Sequence, residues 1–214
     1  MKRICVVCED PTELRFVKDC LLSYCWEQAG QMLTATVISG KDHQHRGGNV
    51  SVERLARAIW RQIPNFDGVT TLVDYYGFKH LGTRTKAELE ADIRASLARD
   101  CHCSDNELRK VLPYVQMHEF EGLLFSDVSV FPFVLDDRWS EAIQKELEAI
   151  VAAFGTPEDI NNGAETAPSK RLLKLIPAYD KILDGGPLAK YIGIDTMRRR
   201  CPGFNAWVER LLAW

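Results

Sequence analysis

The sequence predicts an α/β fold in which a mostly parallel sheet is flanked by helices, followed by a helical C-terminal part. Three observations favour this fold class. Short apolar runs of strand length alternate with amphipathic helical segments in the first half of the chain. Those runs are nearly continuous, which is typical of parallel strands buried on both faces. Beyond about residue 127 the apolar spacing is helical only.

The first strand is predicted over Arg3–Cys8, where RICVVC forms a nearly continuous apolar run that ends at residues 9–11. Thr12 is predicted to cap the next helix. Glu13 then lies in its first turn, where the helix dipole favours a negative charge. That helix ends at Gly30, because glycine readily adopts the left-handed conformation that closes a helix.

The other elements follow from the same patterns. β-branched and apolar runs predict a second strand at Leu33–Ile38, a third at Val69–Val73 and a fourth at Leu112–Met117. Strands that alternate with helices of this length are typical of βαβ units. Apolar residues at helical spacing predict helices over residues 51–63, 86–99, 141–154, 169–176, 187–192 and 204–212.

The chain of 214 residues suits one domain, with a core over about 1–127 and a helical extension over about 128–214. No apolar run is long enough to cross a bilayer, and Met1-Lys2-Arg3 leads directly into a strand. The seven cysteines are scattered, which indicates reduced thiols. We therefore expect a soluble cytoplasmic protein. Its net charge of -3 means that phosphate binding needs a local basic patch or a metal ion.

Acidic residues follow three of the predicted strands. Glu9 follows the first strand, Asp74 the third, and His118-Glu119-Phe120-Glu121 the fourth. Ligands of open α/β sheets bind outside the carboxyl ends of the strands, so these groups are expected at one edge. Carboxylates grouped there suit Mg²⁺, which takes one or two carboxylates, waters and substrate phosphates. The alternative is that Glu9 and Asp74 are solvated residues where loops begin.

The group around His118 has two interpretations. If a helix starts there, His118 and Glu121 lie on one face. In the functional interpretation Glu119 or Glu121 is a metal ligand and His118 is a base or a phosphate contact. In the other, the acids complement the dipole at the helix start.

Basic residues mark two candidate phosphate sites. Ser169 is predicted to cap a helix that carries Lys170 and Arg171 in its first turn, and such a helix start is a good anion site. The alternative is a surface salt bridge to Glu158 or Glu165. In the polar segment of residues 39–49, Lys41 and Arg46 are candidate phosphate contacts. The alternative is that this segment is a solvated loop.

Other short motifs bear on zinc binding, base stacking and nucleotide binding. Cys101-His102-Cys103 lacks the paired spacing of a zinc site. Tyr75 and Tyr76 suit either stacking on bases or packing of their loop. The chain has no Gly-rich phosphate-binding loop of the G-x-x-x-x-G-K-[ST] type, so we expect no nucleotide cofactor and no ATPase activity of its own.

Several segments carry a family resemblance that spans nearly the whole chain. The sequence closely resembles the domain-of-unknown-function family 4276, which is grouped with Toprim-like folds. Members of that family are often considered partners of ATPases in phage-defence loci. The segments that carry the resemblance are VVCEDPTELRFV (6–17), VTTLVDYYG (69–77), YVQMHEFEGLLFSD (114–127), PEDINNGAETAPSKRL (157–172) and CPGFNAW (201–207).

The resemblance implies roles for individual residues. Glu9 matches the Toprim glutamate, a metal ligand or general acid/base, and Asp74 matches the first aspartate of an Asp-x-Asp pair. The second position of that pair is Tyr76 here. Either Glu119 or Glu121 replaces the missing acid from the next strand, or the site binds one metal weakly, or it is inactive.

The function implied is that of a Toprim-like nuclease, dependent on Mg²⁺ or Mn²⁺, that hydrolyses DNA or RNA in an ATPase-associated phage-defence system. The alternative is a non-catalytic Toprim-like module that docks on an ATPase. A second copy of the chain, in a homodimer, is a further candidate partner. The implied roles are metal ligation by Glu9, Asp74 and Glu121 or Glu119, proton transfer by Glu9 or His118, and phosphate neutralisation by Lys170 and Arg171.

Overall fold

A computed structural model describes residues 1–38, 50–161 and 166–214. Lys41, Arg46 and Glu165, three residues of the predicted phosphate sites, lie outside the described residues. The chain forms two compact units. The first comprises Met1–Gln116 with Leu211–Trp214, and the second comprises Met117–Arg210. The single domain expected over 1–214 stays a prediction.

The first unit contains a sheet of five strands in which every pair is parallel, in the order β2-β1-β3-β4, with β5 also paired to β3. The predicted α/β fold with a mostly parallel sheet flanked by helices is confirmed. Five of the six residues of β1 and all seven residues of β3 are buried. The strands are β1 Arg3–Cys8, β2 Met32–Val37, β3 Gly68–Asp74, β4 Val111–Leu112 and β5 Val115–Gln116.

The fourth predicted strand is divided into β4 and β5. Pro113 lies between them and has no backbone N–H to donate to a ladder. The N–H of Tyr114 instead donates to the hydroxyl of Thr71 at 2.8 Å. A side chain of β3 thus replaces a backbone partner at this point, and the two short strands pair with β3 on either side of it.

The helices of the first unit cover both faces of the sheet. Helices α3 and α4 pack on one face, where Leu55, Ile59 and Ile93 join a buried cluster with Val7 and Val73 of the sheet. The segment from α1 to α2 contacts β1 and β2 and is interrupted by a π-helical turn at Val17–Leu21. The helices are α1 Pro11–Phe16, α2 Leu22–Ala29, α3 Val52–Trp60, α4 Lys86–Asp100 and α5 Asp105–Leu108.

The ends of the first helical segment were predicted with mixed success. Gly30 closes α2 with φ 62°, as expected. The predicted Thr12 cap is wrong, because the cap of α1 is Asp10, whose carboxylate accepts the Thr12 N–H at 2.7 Å. Glu13 completes a capping box by accepting the Asp10 N–H at 3.0 Å. An aspartate before a proline at the first helical position is the more favourable arrangement.

The second unit is helical, which confirms the predicted helical C-terminal part. Its centre is a 3₁₀ helix, Phe120–Ser126, in which all residues are buried. Helices α8, α9 and α10 contact this segment. Within the described residues, no helix of either unit is long and apolar enough to cross a membrane. The remaining helices are α6 Pro132–Leu135, α7 Glu141–Ala152, α8 Pro168–Leu175, α9 Gly185–Ile192, α10 Ile194–Arg200 and α11 Pro202–Leu212.

Glu158 holds the start of α11. Its buried carboxylate accepts the N–H of Gly203 at 2.7 Å and the N–H of Phe204 at 2.9 Å. Glu158→Ala is expected to lower the free energy of unfolding by about 1–3 kcal/mol, because both donors lose their partner. Urea denaturation measures this loss. Glu146→Ala, on the exposed side of α7, is the control and should change stability by less than about 0.5 kcal/mol; equal losses would contradict the prediction.

Candidate functional site

Glu9 and Asp74 lie side by side at the carboxyl edge of the sheet. Strands β1 and β3 are in register up to Cys8 and Leu72, and β3 continues for two residues to Asp74. The N–H of Glu9 donates to the carbonyl of Leu72 at 3.2 Å, and the N–H of Asp74 donates to Glu9 Oε2 at 3.2 Å. The structure therefore brings together the two carboxylates that the sequence placed at strand ends.

Gly77 makes room for the Glu9 carboxylate. A Cβ atom at this position would overlap with Glu9 Oε2. The backbone of Gly77 is itself fixed, because its carbonyl accepts the N–H of Val50 at 3.0 Å. Any side chain at position 77 would therefore displace the Glu9 carboxylate from its present position.

Asp10 and Glu13 add two carboxyl groups to this edge through the capping box of α1. The Glu13 side chain is buried, and burial raises its pKa well above the usual value, with further increases from the negative charges of Asp74, Asp10 and Glu9. From the sequence, Glu13 is predicted only to lie in the first turn of the helix. The Asp-x-x-Glu spacing of a capping box was the signal that places its carboxyl beside Asp10.

Tyr76 stands at the position for which the resemblance to Toprim-like proteins predicts a second acid. It lies in a 3₁₀ turn, Tyr75–Gly77, directly after β3. The rings of Tyr75 and Tyr76 meet edge to face with centroids 5.7 Å apart, and the Tyr75 hydroxyl donates to the carbonyl of Arg84. Tyr75 is thereby tied to its own loop, and stacking of either ring on a base stays a prediction.

Glu119 and Glu121 belong to the second unit, and each already has a protein partner. Glu121 is fully buried, and Lys181 Nζ lies 3.0 Å and 3.1 Å from its two carboxylate oxygens. Burial raises the pKa of Glu121, and Lys181 opposes this only in part. Glu119 accepts the N–H of Ser169 at 2.9 Å. Lys181 was missed because it lies in a segment without a motif, far along the chain from Glu121.

His118 does not share a helical face with Glu121, so that expectation is wrong. The 3₁₀ helix begins at Phe120, Glu119 before it is extended, and His118 has the left-handed φ of 62°. Left-handed backbone is uncommon for residues other than glycine, although histidine is among those that tolerate it. Burial lowers the pKa of His118 against the charges of Asp159 and Glu119. Burial therefore favours the neutral form of the imidazole.

The predicted Ser169 cap is also wrong. Helix α8 begins at Pro168, its cap is Ala167, and no side chain bonds the cap position. A proline at the first helical position has no N–H to satisfy, and the Glu119 carboxylate takes the N–H of Ser169. Arg171 Nε donates to the carbonyl of Thr166 at 2.8 Å.

The basic residues that follow differ in their surroundings. The guanidinium of Arg171 lies 5.2 Å from the ring centroid of Phe154, whereas Lys170 is exposed. The carboxylate of Glu158 is directed to the start of α11 rather than to either of these cations. Phosphate binding by Lys170 and Arg171 stays a prediction.

The candidate metal ligands are thus divided between two units. Glu9 and Asp74 belong to the first unit, whereas Glu119 and Glu121 belong to the second. Their sharing of one ion stays a prediction. Over residues 1–38, 50–161 and 166–214, no three His, Cys, Asp or Glu side chains form a group that could hold a metal ion. Mg²⁺ typically uses only one or two protein carboxylates and completes its shell with water and phosphate.

The fold and this edge define an α/β protein with paired carboxylates at the carboxyl ends of adjacent parallel strands. The chain belongs to the family described as "Domain of unknown function (DUF4276)", whose family model matches residues 8–212. This match confirms the family predicted from the sequence. No curated protein and no solved structure matches the chain.

Proposed function

We propose that the chain is a Toprim-like nuclease that depends on Mg²⁺ or Mn²⁺ and hydrolyses phosphodiester bonds of DNA or RNA. The observation that carries this proposal is the carboxyl edge of the first unit, where Glu9 contacts the backbone of Asp74 and Glu13 is buried beside them. Ligands of parallel α/β sheets bind at this edge.

The acids at this edge suit a hard divalent cation. Glu13 is held with its pKa raised well above the usual value, first by burial and then by Asp74, Asp10 and Glu9. Like charges that are gathered and partly buried destabilise a fold, and a bound cation removes that repulsion. Carboxylate oxygens are the donors that Mg²⁺ and Mn²⁺ prefer. Glu9 and Asp74 would hold the ion, with Glu13 next to them.

A bound ion of this kind polarises a phosphoryl oxygen and lowers the pKa of bound water. The other roles would fall to side chains of the protein. The backbone N–H of Glu9 donates to the carbonyl of Leu72, and the lack of a side chain at Gly77 leaves room for the Glu9 carboxylate. The proposed base is His118 of the second unit, whose pKa is lowered by burial, so that the neutral form of the imidazole is favoured. The exposed Lys170, together with Arg171, would neutralise substrate phosphate.

The setting of this activity belongs to the same proposal. We propose a cytoplasmic protein whose partners are nucleic acid and an ATPase of a phage-defence locus, with a homodimer as a further assembly. Reduced thiols at all cysteine positions support a reducing compartment. A net charge of -3 supports dependence on a metal ion or a partner for engaging nucleic acid.

A second candidate function is a non-catalytic module that docks on the ATPase. Two observations favour it. Tyr76 stands where the second acid of the Toprim pattern is expected. The part of the chain that the structure describes also contains no group of three metal-binding side chains.

One experiment separates these functions. The purified chain, with and without the proposed ATPase partner, is incubated with DNA and RNA in Mg²⁺ or Mn²⁺, and metal binding is measured by calorimetry. We expect cleavage by the wild type and its loss in Glu9→Gln, with Glu27→Gln on the exposed side of α2 as the charge-matched control. Cleavage that survives Glu9→Gln would exclude the proposed site. Absence of both cleavage and metal binding would favour the docking module.

The same titration assigns the ion to one unit or to both. Glu121→Gln should leave Mn²⁺ affinity unchanged if Glu9 and Asp74 suffice. A loss of affinity comparable to that in Glu9→Gln would show that the second unit supplies a ligand.

A further inference from the structure

Gln116 is a buried amide directly beside Asp74 in the sheet. The two residues are register partners in the parallel pairing of β3 and β5. Side chains of register partners project from the same face of a sheet. Gln116 is completely buried. Burying a primary amide is unfavourable unless its donors and acceptor are hydrogen-bonded.

The amide oxygen of Gln116 is already engaged. The hydroxyl of Tyr114 donates to Gln116 Oε1 at 2.7 Å. Tyr114 is fixed in turn by Thr71, which accepts its N–H at 2.8 Å and donates to its carbonyl at 2.7 Å. The orientation of the Gln116 amide is therefore set by β3, the strand that ends in Asp74.

A second layer fixes the tyrosine ring. Lys86 Nζ lies 4.0 Å from the centroid of the Tyr114 ring, within the range of a cation–π interaction. Lys86 also lies 3.8 Å from Glu90 Oε1, and that oxygen accepts the N–H of Val115 at 3.0 Å. Two residues of α4 thus contact Tyr114 and the first residue of β5.

The Gln116 amide carries two N–H donors, and the register partner of Gln116 on the same face of the sheet is Asp74. We propose that Gln116 is a positioning residue that donates an amide N–H to the Asp74 carboxylate and so orients that carboxylate for the divalent cation. This inference rests on the proposed function. Residues that hydrogen-bond a metal ligand typically contribute 10–100-fold to metal affinity.

The test measures Mn²⁺ affinity by calorimetry in three variants of the full chain. Gln116→Met preserves volume and removes the donors, and we expect affinity to fall about 10–100-fold. Tyr114→Phe keeps the ring under Lys86 but releases the amide, and a smaller loss is expected. The matched control is Gln31→Met, because Gln31 is also buried and donates to the Trp214 carbonyl at 3.2 Å, beside the start of β2. Gln31→Met should lower the melting temperature and leave Mn²⁺ affinity unchanged.

The outcomes separate this inference from the function on which it rests. Wild-type affinity in Gln116→Met, with or without a lower melting temperature, would overturn the positioning role and leave the metal site standing. If Gln116→Met does not fold, unchanged affinity in Tyr114→Phe overturns it equally. Failure of the wild type itself to bind Mn²⁺ would overturn the proposed function and this inference together.

Discussion

Replacing Asp74 with asparagine is expected to lower metal-dependent cleavage by about 10³-fold. A catalytic metal ion supplies several kcal/mol of charge stabilisation, and each 1.36 kcal/mol corresponds to a factor of ten in rate. The substitution keeps the shape of the side chain at the end of β3 and the backbone N–H that donates to Glu9, but it removes the negative charge of Asp74. Single-turnover cleavage in saturating Mn²⁺ measures the chemical step.

The matched control is Asp67→Asn. Asp67 precedes β3 at the opposite edge of the sheet, is exposed, and accepts the N–H of Arg3 at 2.8 Å. It tests the same change of charge next to the other end of β3, away from the carboxyl edge. Equal loss of cleavage in Asp67→Asn and Asp74→Asn would contradict the assignment of Asp74.

Asp74→Asn should also stabilise the metal-free protein. The raised pKa of Glu13 means that its contribution to stability is fully present below its ordinary value of 4.5 and is lost as pH rises through the raised value. Among the neighbouring charges, Asp74 raises this pKa the most. Without that charge the folded-state pKa of Glu13 is lower, so the free energy of unfolding of the variant falls less between pH 4.5 and neutrality. Urea denaturation without metal measures the difference, and Mn²⁺ should stabilise the wild type but not the variant.

The sequence was sufficient for the features that depend on local pattern. Strands β1 and β3 are apolar runs that an acid terminates, and parallel pairing brings such ends together, so Glu9 and Asp74 could be placed at one edge. Gly30 could be placed as a helix end because few other residues adopt its conformation. Each of these inferences uses neighbours within a few positions of the chain.

The rest of the site depends on contacts between distant residues. Glu13 could be assigned to a helix start, but its burial close to the charges of Asp74, Asp10 and Glu9 depends on the packing of α1. His118 has a left-handed backbone and lies before the 3₁₀ helix, so its spacing of three residues from Glu121 does not place the two side chains on one helical face. Gln116 carried no motif, and its relation to Asp74 follows only from the register of β5.

Lys181 is the clearest case of a partner that spacing does not reveal. Lys181→Met is expected to lower the free energy of unfolding by about 3 kcal/mol at pH 7.5. That is the lower end of the range for breaking a buried pair, because the Lys181 side chain is 40% exposed and partly screened by solvent. The large effect arises because the substitution leaves the fully buried Glu121 carboxylate without its cation. Lys174→Met, exposed on α8, is the control.

The pH dependence and the double variant test the cause of this loss. Burial already raises the pKa of Glu121, and loss of Lys181 raises it further, so the destabilisation should shrink as the pH falls and Glu121 takes up a proton. Lys181→Met combined with Glu121→Gln should recover most of the stability at pH 7.5. A double variant as unstable as the single one would show that Lys181 acts through packing. If Mn²⁺ stabilises Lys181→Met more than the wild type, Glu121 binds the metal once its lysine is removed. In the wild type, Lys181 would then prevent Glu121 from acting as a metal ligand.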